Sequence, residues 1–588
     1  MSFHPNEVQR RGQFARALVG GTLLVLAGAF FRTQVLENTT YALQSEENRL
    51  REVPLPAPRG IIYDRHGLIV AENIPGYTVS ILSPGPDSLR ASLRALSAIV
   101  PFSDDAIESA VRRLKRDPNR PTVVLADASF DQVSVLEEHR SEFPSLIIQT
   151  APKRYYPDGP AVSALVGYTS EIAESELNSS AYVGYKSGQQ IGRAGLEKEY
   201  ERKLRGKEGS RFVEVDARGR VVRESGARPD IPPVPAPALT THLDMDLQRF
   251  VASYFADSLQ GGVVAMEPSG EVLAIHSAPT FDPNRFIGGI PRDYWAALNG
   301  DPRRPLYNKA IQGRYPPGST FKLAMAALAL ESGVATLNDR MPAPCTGGYT
   351  YGTRRFKCWD HKGHGSLTLA QAIEKSCDVY FYQLGLKMGL PKLIAGGVDL
   401  KFRERSGIDL PNESAPLWPY AVDYYNRLFG PRGWTQAVAL NLSIGQGENS
   451  QTIVSMARFY TALATNGQAS NPTIGNSKIA RTKLFELAPE ELNGLRDALA
   501  GVVSGRGTAG SAVIQGVTIA GKTGTAQNSH GEDHAWFVGF APKDDPKIVV
   551  AVMLEFGGHG TRAARTASKI IEHYLKRPAI QPLNTEGE

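Results

Sequence analysis

Cysteine is scarce in this chain: three occur in 588 residues, at positions 345, 358 and 377. So few cannot frame a disulfide-stapled scaffold, and a chain of this length buries a substantial core without one. An excess of one charge is missing too. Lys and Arg number 65 against 60 Asp and Glu, a net charge of +5, and the two signs are interleaved, so nothing points to nucleic acid. Glycine and proline are plentiful, 57 and 40, which makes a loop-rich chain, but a hydrophobic content of 42% excludes disorder. The length implies more than one domain.

One uncharged apolar run stands out, from Ala17 to Phe31, with Arg10, Arg11 and Arg16 before it and Arg32 after it. That run spans about 22 Å as a helix, short of a bilayer core, but Phe14 and Ala15 extend it and the flanking arginines can snorkel. A cleaved signal peptide is the competing reading, because Ala27-Gly-Ala29 resembles a cleavage site. That site lies inside the apolar run and is followed by Phe30-Phe31-Arg32, so a retained anchor is expected over 14–36. The basic residues ahead of it put residues 1–13 in the cytoplasm and the bulk of the chain outside.

Residues 37–236 read as a spacer. A polar stalk is expected from Thr33 to Val53, two short strands about the Asp64-Arg-His-Gly67 turn, helices over 88–100 and 105–116, an amphipathic helix from Gly195 to Gly206 and a strand from Arg211 to Val215. No constellation of catalytic side chains is visible there. Five prolines between Pro229 and Pro237 mark a stiff linker, and a second domain is expected over 237–576, followed by a loose tail, 577–588. Gly262 to His276 reads as a hairpin about a Glu-Pro-Ser-Gly turn. Helices fill the middle. Strands return at 517–520, 535–540 and 548–555, and a helix closes at 562–575. Strands at both ends with helices between imply an α+β domain whose antiparallel sheet joins distant segments.

The chemistry lies in that second domain. In Tyr315-Pro-Pro-Gly-Ser-Thr-Phe-Lys322 the Pro-Pro-Gly cannot continue a helix, while the apolar residues after Lys322 favour one. Ser319 therefore falls in the first turn of a buried helix, at the positive end of its dipole, and the three-residue offset puts the Lys322 amine beside its hydroxyl. A desolvated lysine can activate a serine. Ser-x-x-Lys alone is as readily a helix cap followed by a solvated lysine. Here Ser376-Cys-Asp378 and Lys522-Thr523-Gly524-Thr525 follow in order, and S-x-x-K, S-D-N and K-T-G together form the set of penicillin-recognising serine enzymes. Gly516 to Thr523 also fits the phosphate-loop pattern G-x-x-x-x-G-K-T. That reading needs a helix starting at Lys522, which Gly524 opposes, whereas Val517-Thr-Ile is β-branched and favours a strand carrying Lys522 inward.

At this point the chain resembles the class B penicillin-binding proteins of the cell-elongation branch, over nearly its whole length. The resemblance rests on Arg59-Gly-Ile-Ile-Tyr-Asp-Arg65, Gly192-Arg-Ala-Gly-Leu-Glu197, Phe281-Asp-Pro-Asn284, the Ser319 and Lys522 motifs, Ser443-Ile-Gly-Gln-Gly447 and His534 to Pro542. It implies an N-terminal transmembrane helix, an elongated pedestal of the dimerisation type, and a transpeptidase domain with the serine β-lactamase-like fold. It implies a peptidoglycan D,D-transpeptidase that needs no cofactor for its chemistry. Ser319 would be the nucleophile, Lys322 its base and Ser376 the proton relay to the leaving D-alanine. Lys522, Thr523, Gly524 and Thr525 would receive the substrate, with backbone N–H groups of Ser319 and Thr525 as oxyanion hole. Asp378 departs from the family's usual Asn; beside Lys322 a carboxylate favours the charged amine, which opposes the base role. Implied partners are peptidoglycan stem peptides on nascent lipid-linked glycan, a SEDS-family glycan polymerase, the rod-shape scaffold protein, β-lactams and the inner membrane. A carboxypeptidase or β-lactam-responsive sensor of the same superfamily, and a non-catalytic envelope scaffold, are the other readings; the intact serines and lysines oppose the last.

The cysteines suggest a metal. Cys345, Cys358, His364 and Cys377 supply three thiolates and an imidazole, a complete tetrahedral zinc set. Cys345 and Cys358 flank a Gly-Gly-Tyr-Thr-Tyr-Gly turn, and Cys377 follows Ser376, so a structural zinc would pin the second motif. A Cys345–Cys358 disulfide with Cys377 inert is the alternative, and His361 rivals His364 as ligand.

Overall fold

The computed structural model describes residues 5–36, 50–118, 120–216, 221–223, 229–255, 259–505, 507–528 and 531–577. The chain divides into two compact units, and it passes between them repeatedly. The first holds residues 1–57, 75–152 and 207–234; the second holds 58–74, 153–206 and 235–588.

In the first unit, Pro5–Phe31 is one helix, exposed at every position whose burial is described except the half-buried Gly20, and a π-helical turn, Arg32–Leu36, extends it. Gln9–Leu36 is long and apolar enough to cross a membrane. Most of the expected stalk lies outside the described residues. Its end, Leu50–Leu55, is a strand rather than helix, because it pairs antiparallel with Gly209–Val215 from far along the chain. The helices Pro86–Leu96 and Asp104–Arg116 lie close to the ranges expected. Ser103 caps the second by accepting from Ala106 N. Their apolar faces (Leu89, Leu93 and Leu96; Ile107, Val111 and Leu114) form this unit's core with Val79, Ile81 and Leu136.

The second unit is built on a five-stranded antiparallel sheet. We label its strands β1 (Gly261–Met266), β2 (Val272–Ala278), β3 (Ala520–Ala526), β4 (His534–Ala541) and β5 (Ile548–Leu554); their spatial order is β2-β1-β5-β4-β3. All seven residues of β5, Ile-Val-Val-Ala-Val-Met-Leu, are buried, as for a strand covered on both faces. Gly560–Lys576 packs on β4 and β5, and Met245–Phe255 packs on β2 and on that same helix. Ile453–Ala464, whose every residue is buried, packs on β1, β4 and β5. The α+β fold with a sheet joining distant segments is therefore present.

The strand expected at 517–520 is instead β3, at 520–526. Gly516 adopts φ +79° and Ile514 bridges Val517 in a tight turn, so the β-branched residues end a loop and the glycine-containing motif itself is the strand. The helix expected from Gly195 to Gly206 is two short pieces, Gly195–Glu199 and Glu201–Leu204. They carry Glu197 and Glu201 into a buried ionic cluster. Glu197 accepts from Arg59 Nε at 3.0 Å and Arg154 Nε at 2.6 Å, and Glu201 from Arg59 Nη2 at 2.8 Å. Removing one member of such a cluster costs about 3–5 kcal/mol, since the rest stay buried and charged. The segments 58–74 and 153–206, read from sequence as spacer, thus belong to the core of the sheet-bearing unit.

Candidate active site

Ser319 lies in a single 3-10 turn, Gly318–Phe321, that feeds directly into a helix, α1 (Lys322–Glu331). The turn is held on both sides. Tyr315 exchanges both backbone hydrogen bonds with Gln451, and Gly318 N donates to Gly445 O at 3.0 Å. Gly318 has φ +53°, and a Cβ there would lie 2.7 Å from Thr525 O; a Cβ on Gly524 would lie 2.9 Å from Pro317 O. Two glycines therefore allow the serine turn and β3 to touch backbone to backbone. Ser319 is half-buried, and among the described residues its hydroxyl makes no hydrogen bond.

The Lys322 amine was expected beside that hydroxyl. It is fully buried and its hydrogen bonds go to the second motif: Nζ donates to Ser376 O at 2.7 Å, Ser376 Oγ at 3.3 Å and Asp378 Oδ1 at 2.7 Å. Three oxygen acceptors, one of them a carboxylate, therefore surround this amine. Ser376 sits between the helices Leu369–Glu374 and α2 (Asp378–Met388) with φ +55°. A non-glycine residue in that region stores strain of about 1–2 kcal/mol, held here by Ser376 N to Ile373 O and Cys377 N to Ala372 O. Asp378 also accepts from Trp359 N at 3.0 Å. Burial pushes its carboxyl above the usual range, and Lys322 opposes that shift.

Lys522 stands on β3, fully buried, with Nζ donating to Thr523 O at 2.9 Å. Burial, and then the nearby Lys322 charge, hold its amine well below the ordinary lysine range. No helix starts at Lys522, so the phosphate-loop reading is overturned. Thr525 Oγ1 accepts from Gly560 N at 3.4 Å, and Thr525 O accepts from Gln446 Nε2 at 3.4 Å. Thr523 Oγ1 lies 2.7 Å from Thr508 Oγ1. Sequence reasoning did not single out Thr508 or Trp359, because each reaches the motifs through a contact distant in sequence.

Beside the second motif, Gly348–Tyr351 and Arg354–Lys357 pair as an antiparallel hairpin between Cys345 and Cys358. The ligand atoms of Cys345, Cys358, His364 and Cys377 lie within 4.8 Å of one another, and all three cysteines are free thiols. His364 Nδ1 is 3.6 Å from both Cys345 Sγ and Cys358 Sγ. Tetrahedral ligands about zinc stand roughly 3.8 Å apart, so the set fits that ion. His364 Nε2 is buried without a hydrogen-bond partner and has Asp360 Oδ2 at 3.9 Å, the kind of carboxylate that orients a ligating imidazole.

A serine on the tip of a buried helix, a lysine from the same turn bonded to a Ser-x-Asp turn, and a Lys-Thr-Gly strand at the sheet edge define the serine enzymes that acylate on penicillin. Comparison with known proteins narrows this class. The family model described as the penicillin-binding protein transpeptidase domain matches residues 261–572, and that of the penicillin-binding protein dimerisation domain matches 54–235. The peptidoglycan D,D-transpeptidase MrdA of Acinetobacter baumannii is 32% identical, over 97% of this chain and 88% of that protein. The MrdA of Haemophilus influenzae is 31% identical, over 98% and 94%. Among solved structures, PBP2 of Helicobacter pylori in its complex with MreC superposes with a TM-score of 0.79 at 28% identity, over 89% of this chain and 99% of that one. The chain belongs to the class B penicillin-binding proteins, in the PBP2/MrdA branch, and is a peptidoglycan D,D-transpeptidase.

Proposed function

We propose that this transpeptidase works through an acyl-enzyme on Ser319. Ser319 Oγ attacks the penultimate D-alanine carbonyl of a donor stem, and Lys322 takes the hydroxyl proton. The N–H groups of Ser319 and Thr525 receive the oxyanion. Ser376 Oγ, 3.3 Å from Lys322 Nζ, relays that proton from Lys322 to the departing D-alanine nitrogen. An amine of a second stem then attacks the acyl carbon, frees Ser319 and completes the cross-link. Lys522, Thr523 and Thr525, with the Gly524 backbone between them, hold the donor's terminal carboxylate, and Asp378 orients Lys322. β-Lactams acylate the same serine because their ring presents the same amide.

The observation that carries this reading is the bonding of Lys322 to Ser376 and Asp378, together with a half-buried Ser319 whose hydroxyl makes no hydrogen bond among the described residues. Labelling with a fluorescent penicillin tests it. Wild type should label and Ser319→Ala should not; equal labelling would remove Ser319 from the mechanism.

Cys345, Cys358, His364 and Cys377 would hold a structural zinc with no open position, fixing Ser376 next to Cys377 without taking part in chemistry. The helix from Pro5 to Phe31 anchors the protein by a single pass, with its N-terminus in the cytoplasm and the units beyond it outside. The solved H. pylori relative is bound to MreC, and another relative is described as a peptidoglycan synthase complex coordinating polymerisation and crosslinking. By that likeness the partners of this chain are a rod-shape scaffold of the MreC kind and a SEDS-family glycan polymerase.

A further inference from the structure

After the helix Pro489–Val503 the chain turns back and brings Thr508 against β3. The turn is fixed from both sides: Gly507 N donates to Ser504 O, and Ala509 N to Val502 O. Thr508 Oγ1 lies 2.7 Å from Thr523 Oγ1; Thr508 is half-buried, and Thr523 is 7% exposed. We propose that Thr508 is a positioning residue for donor recognition: its hydroxyl donates to Thr523 Oγ1 and so turns the Thr523 proton toward the terminal carboxylate of the stem. The inference rests on β3 being the carboxylate subsite.

Each hydroxyl has one proton and two lone pairs, so the bond between the two threonines can run either way. A carboxylate only accepts. Its arrival selects the arrangement in which Thr508 donates to Thr523 and Thr523 donates to the carboxylate, and aligned hydroxyls of this kind strengthen one another. Thr525 is set up in the same manner from the backbone, because Gly560 N donates to its Oγ1 and leaves its proton free to face the substrate. Among the described residues Thr523 Oγ1 has no backbone donor, and Thr508 takes that place.

The test uses the full chain in detergent and compares acylation rates with benzylpenicillin and with its methyl ester, whose carboxylate is blocked. Thr508→Val keeps the shape and removes the hydroxyl. It should slow acylation by benzylpenicillin about tenfold, the scale of one hydrogen bond to a charged group, and acylation by the ester by less than about twofold. Thr508→Ser should restore the benzylpenicillin rate. Equal slowing with both probes, no slowing with either, or no rescue by serine would overturn the proposal. If Thr508→Val does not fold, Thr508→Ala is read in the same pair of assays with the same expectations. Persistent labelling of Ser319→Ala would instead overturn the nucleophile assignment, so the two failures are distinct.

Discussion

Acidification should loosen the sheet-bearing unit through one residue, His276. It lies on β2, 2% exposed, with its ring edge-on to Phe255 at 5.5 Å. Burial alone pushes its imidazole down to about 4 from an ordinary 6.5. Between these values the unfolded chain binds a proton that the folded chain does not, so stability falls as pH falls through this window. At about 1.4 kcal/mol per pKa unit, the loss reaches about 2 kcal/mol at pH 5 and about 3 kcal/mol once the folded imidazole is also protonated. Other groups titrate in the same range, so the informative quantity is the difference between wild type and His276→Leu. The variant should start less stable at pH 7.5, because it loses a packed ring, and should lose about 2 kcal/mol less than wild type on going to pH 5. Thermal unfolding of detergent-solubilised protein at pH 7.5, 6, 5 and 4.5 measures this. Parallel pH curves for the two proteins would refute the reasoning.

Three further outcomes are expected. Lys522→Met should abolish penicillin labelling yet raise the melting temperature at pH 7.5 by about 2–5 °C. A buried amine held below its ordinary range weakens the fold as pH drops below the unfolded lysine range, and methionine removes that cost; a lower melting temperature would contradict this. Gly524→Ala should slow acylation about 10²-fold in a folded protein, because the new Cβ meets Pro317 O at 2.9 Å and displaces the serine turn; near-normal acylation would show that the two backbones need not touch. Metal analysis should find one zinc per chain, and chelation, or Cys345→Ser, should remove it and lower both melting temperature and acylation rate; a metal-free protein of equal stability would exclude the site.

Most of the candidate site was legible because its motifs are local. Pro-Pro-Gly ahead of an apolar run places a helix tip at Ser319 whatever surrounds it, and Cys345 to Cys377 are close enough in sequence for their spacing to suggest one cluster. What was not legible depends on pairing between distant segments. Leu50–Leu55 has stalk-like composition but becomes a strand by pairing with Gly209–Val215, and Ala520–Ala526 holds two glycines but becomes a strand by pairing with His534–Ala541. Gly195 to Gly206 reads as an amphipathic helix, whereas Arg59 and Arg154 draw its Glu197 and Glu201 into the core. Three-residue spacing says nothing of where the hydrogen bonds of Lys322 go: to Ser376 and Asp378, 54 and 56 residues away.

The account stands on the bond that forms at residue 319. Protein treated with benzylpenicillin, digested and read by mass spectrometry should carry one penicilloyl adduct per chain, on Ser319 within Tyr315 to Lys322, and Lys322→Ala should form it far more slowly. An adduct on any other residue, or stoichiometric acylation of Ser319→Ala, would contradict it.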